Sequence, residues 1–268
     1  MDDLQFRELL HFLGRSWKGY RKVRKGVMKR LSKHMGRLEC RDLGSYLVEL
    51  ETSEEARREC ERLMTVSISR FFRDRKLWEL LQGAILPDII GKEAGKVMAW
   101  SAGCASGEEV YTLKIVWYRL RGDFTALPVL EIMGTDLNPL YLERARRGIY
   151  PASSLKEVPG ELRSKYFDPQ PGSGESLYRV RDFLKGGIVW EVQDLLADPP
   201  GIEFHLVFLR NNLLTYYEAE RKIPAFKKIL DRLRPGGYLV IGSHETLPFE
   251  PDDLAPLGSC SCVFRKNR

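Results

Sequence analysis

Apolar positions divide the chain into two regimes. Up to about residue 64 they recur every three or four residues, the period of one helical face. This predicts helices over residues 4–13, 43–50 and 53–64, with a basic helix between the first two. Ser53 is placed as the N-cap of the last, ahead of Glu54 and Glu55. No strand pattern occurs before residue 66. From Trp78 onward, short apolar runs alternate with helical stretches. Residues 97–100, 129–134, 188–192, 205–209, 238–241 and 261–265 read as strands, and 109–121, 139–147 and 218–233 as crossover helices. The economical architecture is a mostly parallel sheet covered on both faces. The RPGG of residues 234–237 reads as a tight turn closing the last of those helices. Residues 151–182 break the alternation and read as an insertion, with a hairpin made by 177–180 and the strand that follows.

Charge changes the picture most in the basic helix. Lys18, Lys22, Lys25, Lys29 and Lys33 fall on one face, and Tyr20, Val23, Val27, Leu31, Met35 and Leu38 on another. Between Glu8 and Glu39 there is no acid, while Arg15, Lys18, Arg21, Lys22, Arg24, Lys25, Lys29, Arg30, Lys33 and Arg37 supply ten cations without a nearby counter-charge. Such a face is either merely solvated or docks an acidic macromolecule. Few aromatics and no nucleic-acid motif disfavour nucleic acid, and a glutamate-rich protein surface suits the segment as well.

Composition bounds the rest. At 268 residues, 30% charged and 43% hydrophobic, the chain is expected to be soluble, with enough length for a core. No apolar run approaches the ~20 residues that span a bilayer, and the opening MDDLQFRELL lacks a signal-peptide core, so a cytoplasmic location and no membrane insertion are expected. The five cysteines, Cys40, Cys60, Cys104, Cys260 and Cys262, are odd in number and scattered, which fits a reducing compartment. Cys260 and Cys262 read as strand residues rather than zinc ligands, and no metal site is expected.

Candidate chemistry collects where strands end. Ligands of an open α/β sheet bind outside the carboxyl ends of its strands. The first strand runs into WSAGCASGEEVYTL, where Gly103 and Gly107 turn the backbone and Glu108 and Glu109 enter the first helical turn. A diphosphate facing Glu108 would be repelled, whereas a ligand with an ammonium group and no phosphate would be held. S-adenosylmethionine is such a ligand; an ordinary strand-turn-helix is the alternative. EIMGTD ends on Asp136, placed either to accept from both ribose hydroxyls or to cap a helix. IVWEVQD ends on Asp194 and Leu195, positioned for an adenine amino group and ring face. HLVFLRNN ends on Arg210, Asn211 and Asn212. Before the sheet, Arg73 follows Phe71 and Phe72 in SISRFFRD, which is either an apolar hinge or a dry setting for a bidentate carboxylate contact.

SISRFFRD, WSAGCASGEEVYTL, IMGTDLNPLYLERARRGIY, FHLVFLRNNLLTYY and LRPGGYLVIGSHETL occur in the order found in the CheR family of chemotaxis receptor methyltransferases, which this chain resembles over nearly its whole length. The resemblance implies an α/β fold: a class I methyltransferase (Rossmann-like) sheet over residues 67–268, a small inserted β-subdomain around 151–190, and an all-helical, basic docking domain over 1–66. It implies S-adenosylmethionine as cofactor and S-adenosylhomocysteine as product. It places cofactor contacts on Ser67, Ser69, Arg73, Glu108, Asp136, Asp194, Leu195, Arg210 and Asn211, beside the Gly103 turn. Where the family has Asn and Thr, this chain has Ser67 and Ser69, and Asp194 replaces an Asn. The family's RNVLIYF reads RNNLLTYY here, so Thr215 stands at the position of the tyrosine near the transferred methyl and Tyr216 comes one later. His244 in GSHETL reads as a structural polar residue.

The implied reaction is methyl transfer to glutamate side chains of an acidic helical receptor. A carboxylate is already ionised near neutral pH and needs no general base, so Arg73 and Tyr216 are expected to act by positioning. The alternatives are a related methyltransferase with another protein or small-molecule acceptor, and a cofactor-binding module without turnover.

Overall fold

In a computed structural model, residues 1–66, 69–124, 126–172, 176–258 and 260–267 are described. Capped amphipathic segments make the first 64 residues helical. α1 (Asp3–Phe12) opens with a capping box between Asp2 and Gln5. It is followed by α2 (Trp17–Tyr20), α3 (Arg24–Arg37), α4 (Leu43–Thr52) and α5 (Glu54–Met64), and Ser53 caps α5 by accepting from the Ala56 N–H. Their apolar faces meet in one core around Phe6, Leu9, Leu31, Tyr46 and Cys60.

The basic segment differs from the single helix expected. It breaks at residues 21–23, so α2 leaves the line of α3 and lies against the second half of the chain. Four of the ten cations also have internal partners. Arg24 pairs with Asp3 at 2.8 Å and Arg37 with Glu59 at 3.4 Å; Arg30 donates to the Leu63 and Thr65 carbonyls, and buried Arg15 lies 3.7 Å over the Tyr217 ring. Folding brings in acids that are distant in sequence. Lys18, Lys22, Lys25, Lys29 and Lys33 remain exposed, and among the described residues none pairs with a carboxylate.

A connecting stretch, α6 (Arg75–Leu80) and α7 (Leu86–Ile90) joined by one π-helical turn, leads into β1 (Lys96–Ala102). After α8 (Glu108–Arg119) comes β2 (Val129–Asp136), then α9 (Pro139–Arg147). β3 (Ile149–Pro151), α10 (Gly160–Tyr166), β4 (Phe167–Gln170) and β5 (Leu177–Val180) form the insertion. β6 (Ile188–Val192) and β7 (Phe204–Leu209) follow, then α11 (Leu213–Tyr216), α12 (Ala219–Leu230), β8 (Leu233–Ile241), β9 (Leu254–Leu257) and β10 (Cys260–Lys266). The main sheet has the order β6-β2-β1-β7-β8-β10-β9, parallel except for antiparallel β10. Every residue of central β7 is buried, as a strand covered on both faces requires. Apolar cores lie on either side of the sheet, one built on α8 and the insertion, the other on α12. No helix among the described residues is long and apolar enough to cross a membrane.

Three local expectations are corrected. β5 pairs with β3 and β4 in a separate three-stranded sheet, while β6 joins the main sheet, so the inserted sheet ends before residue 190. The last crossover helix ends at Leu230, and the RPGG of residues 234–237 lies within β8. Phe204 and Leu206 of β7 face Leu233 and Tyr238, so the glycines and Pro235 bulge out of register, where a residue without an N–H is tolerated. Edge strand β9 was not expected at all.

Candidate active site

The carboxyl ends of β1, β2, β6 and β7 open on one cavity, whose other wall comes from the helical bundle through Arg15, Tyr20, Met64 and Thr65. The bundle is fastened there. The Ser16 N–H donates to the Tyr216 carbonyl at 2.9 Å, and the Glu218 N–H to that of Gly14 at 3.1 Å.

Asp136 ends β2 and faces this cavity. Its Oδ1 accepts from the Asn138 N–H and its Oδ2 from the Ala105 N–H, both at 2.9 Å. The N-cap of α9 is Asn138, so Asp136 is not spent on capping. Burial pushes its carboxyl pKa up, and the two N–H donors pull it down by less. Gly103, at φ +77°, has no room for a side chain: a Cβ there would stand 2.2 Å from the Asn212 amide. That amide donates to the Ala102 carbonyl, and its oxygen accepts from the Leu213 N–H at 2.6 Å.

The two acids of the glycine loop part company. Glu108 is buried but is not among the residues lining the cavity. Burial raises its pKa, the Ser69 and Ser154 hydroxyls oppose this, and its Oε2 has no hydrogen-bond partner among the described residues. Glu109 does line the cavity. It accepts from Ser101 Oγ and from Arg210, each at 2.8 Å. Arg210, only 9% exposed, also pairs with Asp74, and although burial opposes its charge, Glu109 and Asp74 raise its pKa.

Asp194, Leu195 and Asn211 also line the cavity. The Asp194 carboxylate accepts from the Leu196 N–H at 2.9 Å, which orients it. Asn211 takes a left-handed φ of +55°. On the bundle side, Arg73, Ser69, Thr215 and Tyr216 complete the wall. The Arg73 carbonyl accepts from the Trp78 indole at 2.9 Å. Burial, then Tyr20, push the Tyr216 hydroxyl pKa up to about 12, with Arg73 acting against them. Thr215 is turned to Glu245 at 2.5 Å. Exposed His244 does not line the cavity. Ser67 lies outside the described residues.

Of the site residues expected from sequence, the structure therefore brings Ser69, Arg73, Gly103, Asp136, Asp194, Leu195, Arg210, Asn211 and Tyr216 together, and leaves Glu108 behind the wall. Asp74, Glu109, Arg15, Tyr20 and Glu245 were missed. One signal marks part of this set in the backbone: of five non-glycine residues at positive φ among the described residues, Phe72, Asp74, Ala105 and Asn211 sit at the cavity or beside Arg73. Such strain collects at functional sites.

The donor set fits S-adenosylmethionine. Asp136 is an anchored, acceptor-only group suited to ribose hydroxyls, Leu195 offers an apolar face to a ring, and Asp194 an acceptor to an amino group. The Arg210–Glu109–Asp74 cluster and Arg73 supply both signs of charge for an amino-acid tail.

Comparison with known proteins agrees. Residues 67–262 match the family model described as CheR methyltransferase, SAM binding domain. The chemotaxis protein methyltransferase of Listeria innocua is 35% identical over 185 residues, covering 69% of this chain and 67% of that protein. Chemotaxis protein methyltransferase 1 of Pseudomonas aeruginosa is 30% identical over 234 residues, covering 84% and 83%. An uncharacterized 104.1 kDa protein in the hypE 3′ region of Rhodobacter capsulatus is 29% identical over 244 residues, and this chain, 90% covered, spans only 25% of its length. With its anchored Asp136, its glycine turn and a family match over nearly the whole sheet, the chain belongs to the CheR methyltransferase family, and residues 67–262 are its S-adenosylmethionine binding domain.

Proposed function

We propose that the protein esterifies glutamate side chains of an acidic, helical, chemoreceptor-like protein in the cytoplasm. Residues 1–66 would form the docking domain and 67–268 the catalytic domain. The observation that carries this reading is the position of the cavity: it lies between the sheet and a bundle whose exposed lysines have no acidic partners among the described residues.

S-adenosylmethionine, when bound, supplies an electrophilic methyl group on a sulfonium. The protein's own task is alignment and drying. A glutamate side chain is ionised near neutral pH, so its oxygen is already a nucleophile and no group has to remove a proton. Arg73 can hold a carboxylate and Tyr216 can donate one hydrogen bond, fixing the acceptor oxygen for an in-line approach. Tyr20, Met64 and Tyr216 close the bundle side with apolar surface, which excludes water from the carboxylate.

The test is transfer of labelled methyl from S-adenosylmethionine to cytoplasmic fragments of chemoreceptors. Label released as methanol by mild base is the expected product. Base-stable label would instead assign an N-methyltransferase, and cofactor binding without transfer to any fragment would assign a binding module.

A further inference from the structure

The tight turn after β8 closes on Glu245, a half-buried residue that is not among those lining the cavity yet holds two residues that do. Its Oε2 accepts from the Asn211 N–H at 2.8 Å and from the Gly242 N–H at 2.7 Å. Its Oε1 accepts from the Thr215 hydroxyl at 2.5 Å. Asn211 and Thr215 both line the cavity, on either side of the turn that leads from β7 into α11. Asn211 is also held at φ +55°, where a side-chain-bearing residue persists only if its surroundings fix it. A single carboxylate therefore ties the left-handed residue to the last turn of α11, the helix that ends on Tyr216.

We infer that Glu245 is the positioning residue of the methyl-transfer site, setting the Arg210–Asn211 turn and Thr215 through these three hydrogen bonds. The inference rests on the proposed function for its catalytic readout. Its physical basis is that reacting groups lose rate steeply when displaced by about 1 Å, on the order of a hundredfold. Thr215 matters here because it stands at the sequence position where the resemblance puts a family tyrosine. Bound to Glu245, the Thr215 hydroxyl has its hydrogen committed within the protein. It serves the wall, and the tyrosine that follows it is left to meet the carboxylate.

The experiment compares Glu245→Ala, Glu245→Gln and Thr215→Val in the full chain, measuring kcat and KM for the acceptor, S-adenosylhomocysteine affinity and thermal unfolding. Gln keeps an oxygen for the two N–H groups and an amide that Thr215 can accept from. Glu245→Ala is expected to lower kcat about a hundredfold while KM for the acceptor stays close to wild type. Glu245→Gln should restore most of the loss. Thr215→Val, which removes one hydrogen bond to the carboxylate, should cost about tenfold, and the Ala/Val double variant should be no worse than Glu245→Ala alone. If Glu245→Ala fails to fold, the Gln and Val variants carry the comparison, and wild-type turnover in Thr215→Val then overturns the inference. It is equally overturned if Glu245→Ala turns over normally, if Gln rescues nothing, or if the two losses add independently. Should wild type bind S-adenosylhomocysteine yet methylate no acceptor, the functional reading fails by itself, and cofactor affinity decides the role of Glu245. A roughly tenfold weakening in Glu245→Ala that Gln reverses supports it, and unchanged affinity overturns it.

Discussion

Tyr20 of α2 packs against Tyr216 of α11, ring centroids 4.8 Å apart and planes tilted by 51°. The contact sets a ring of the helical bundle directly on the cavity wall. Tyr20 is spoken for, since its hydroxyl donates to the Met64 carbonyl at 3.2 Å. Tyr216, with its pKa pushed up to about 12, stays protonated at neutral pH and can donate a hydrogen bond. Tyr216→Phe keeps the ring pair and removes only that donor. It should lower kcat about tenfold, the worth of one hydrogen bond of ~1.4 kcal/mol, and leave S-adenosylhomocysteine affinity unchanged. Wild-type kcat in Tyr216→Phe would remove the hydroxyl from the mechanism.

Gly19 measures how closely the bundle approaches the site. A Cβ at this position would stand 2.2 Å from the Thr215 carbonyl oxygen, a backbone atom that cannot swing aside. Gly19→Ala should therefore push α2 off α11 and destabilise the protein by about 1–3 kcal/mol, the usual cost of overpacking. Acceptor turnover should fall with it, because Tyr20 and Tyr216 part. An unaltered melting temperature would mean that the two elements are not in contact in solution.

The strands were legible because short apolar runs bounded by glycine or polar residues announce themselves. The expected 188–192 coincides with β6, and the expected 97–100 falls inside β1. β9 escaped because LAPL alternates poorly, carries a proline and leaves two residues exposed at a sheet edge. Asp136, Asp194 and Arg210 were legible for a positional reason, since polar residues at the carboxyl ends of apolar strands lie at the strand tips. The Arg210 partners Asp74 and Glu109 were not, because the pairs join residues 136 and 101 positions apart. Choosing Glu108 over Glu109 turned on which side of α8 faces the sheet ends, a rotation that the helical pattern of an almost wholly buried helix does not encode.

Burial gives Asp136 opposite effects on stability and on binding. Its folded pKa lies above the unfolded value of about 3.9. Between the two values the native state holds the more protons, so this group's contribution to stability is greatest at low pH and declines as pH rises through the folded pKa. Cofactor binding runs the other way, because ribose hydroxyls need the ionised acceptor. S-adenosylhomocysteine affinity should weaken as pH drops from neutrality through the raised pKa of Asp136. Asp136→Asn should bind about a hundredfold more weakly at neutral pH, as expected when hydrogen bonds to a charged group are lost, and its deficit should narrow as pH falls. Glu108, also raised by burial, is common to both proteins, so the difference between them isolates Asp136. Wild-type affinity that does not change over this range would dissociate Asp136 from the ribose.

The cations of the basic segment should separate into two classes that sequence alone presents as one. Lys22, Lys25 and Lys29 are exposed, and none of them pairs with a carboxylate among the described residues, so reversing them to Glu removes no internal contact. Their effect should fall on the encounter with an acidic acceptor. KM for receptor should rise, more strongly at low salt than at high because the Debye length shrinks to about 8 Å at physiological ionic strength, while unfolding temperature and S-adenosylhomocysteine affinity hold. Arg30 belongs to the other class. Its guanidinium donates to the carbonyls of Leu63 and Thr65, which close α5 at the point where the bundle hands over to the cavity. Arg30→Ala should cost about 1–3 kcal/mol of stability and show little dependence on salt. Kinetics and thermal unfolding of both variants at two salt concentrations make the distinction. A triple lysine reversal that leaves receptor KM unchanged would move the docking surface elsewhere on the protein.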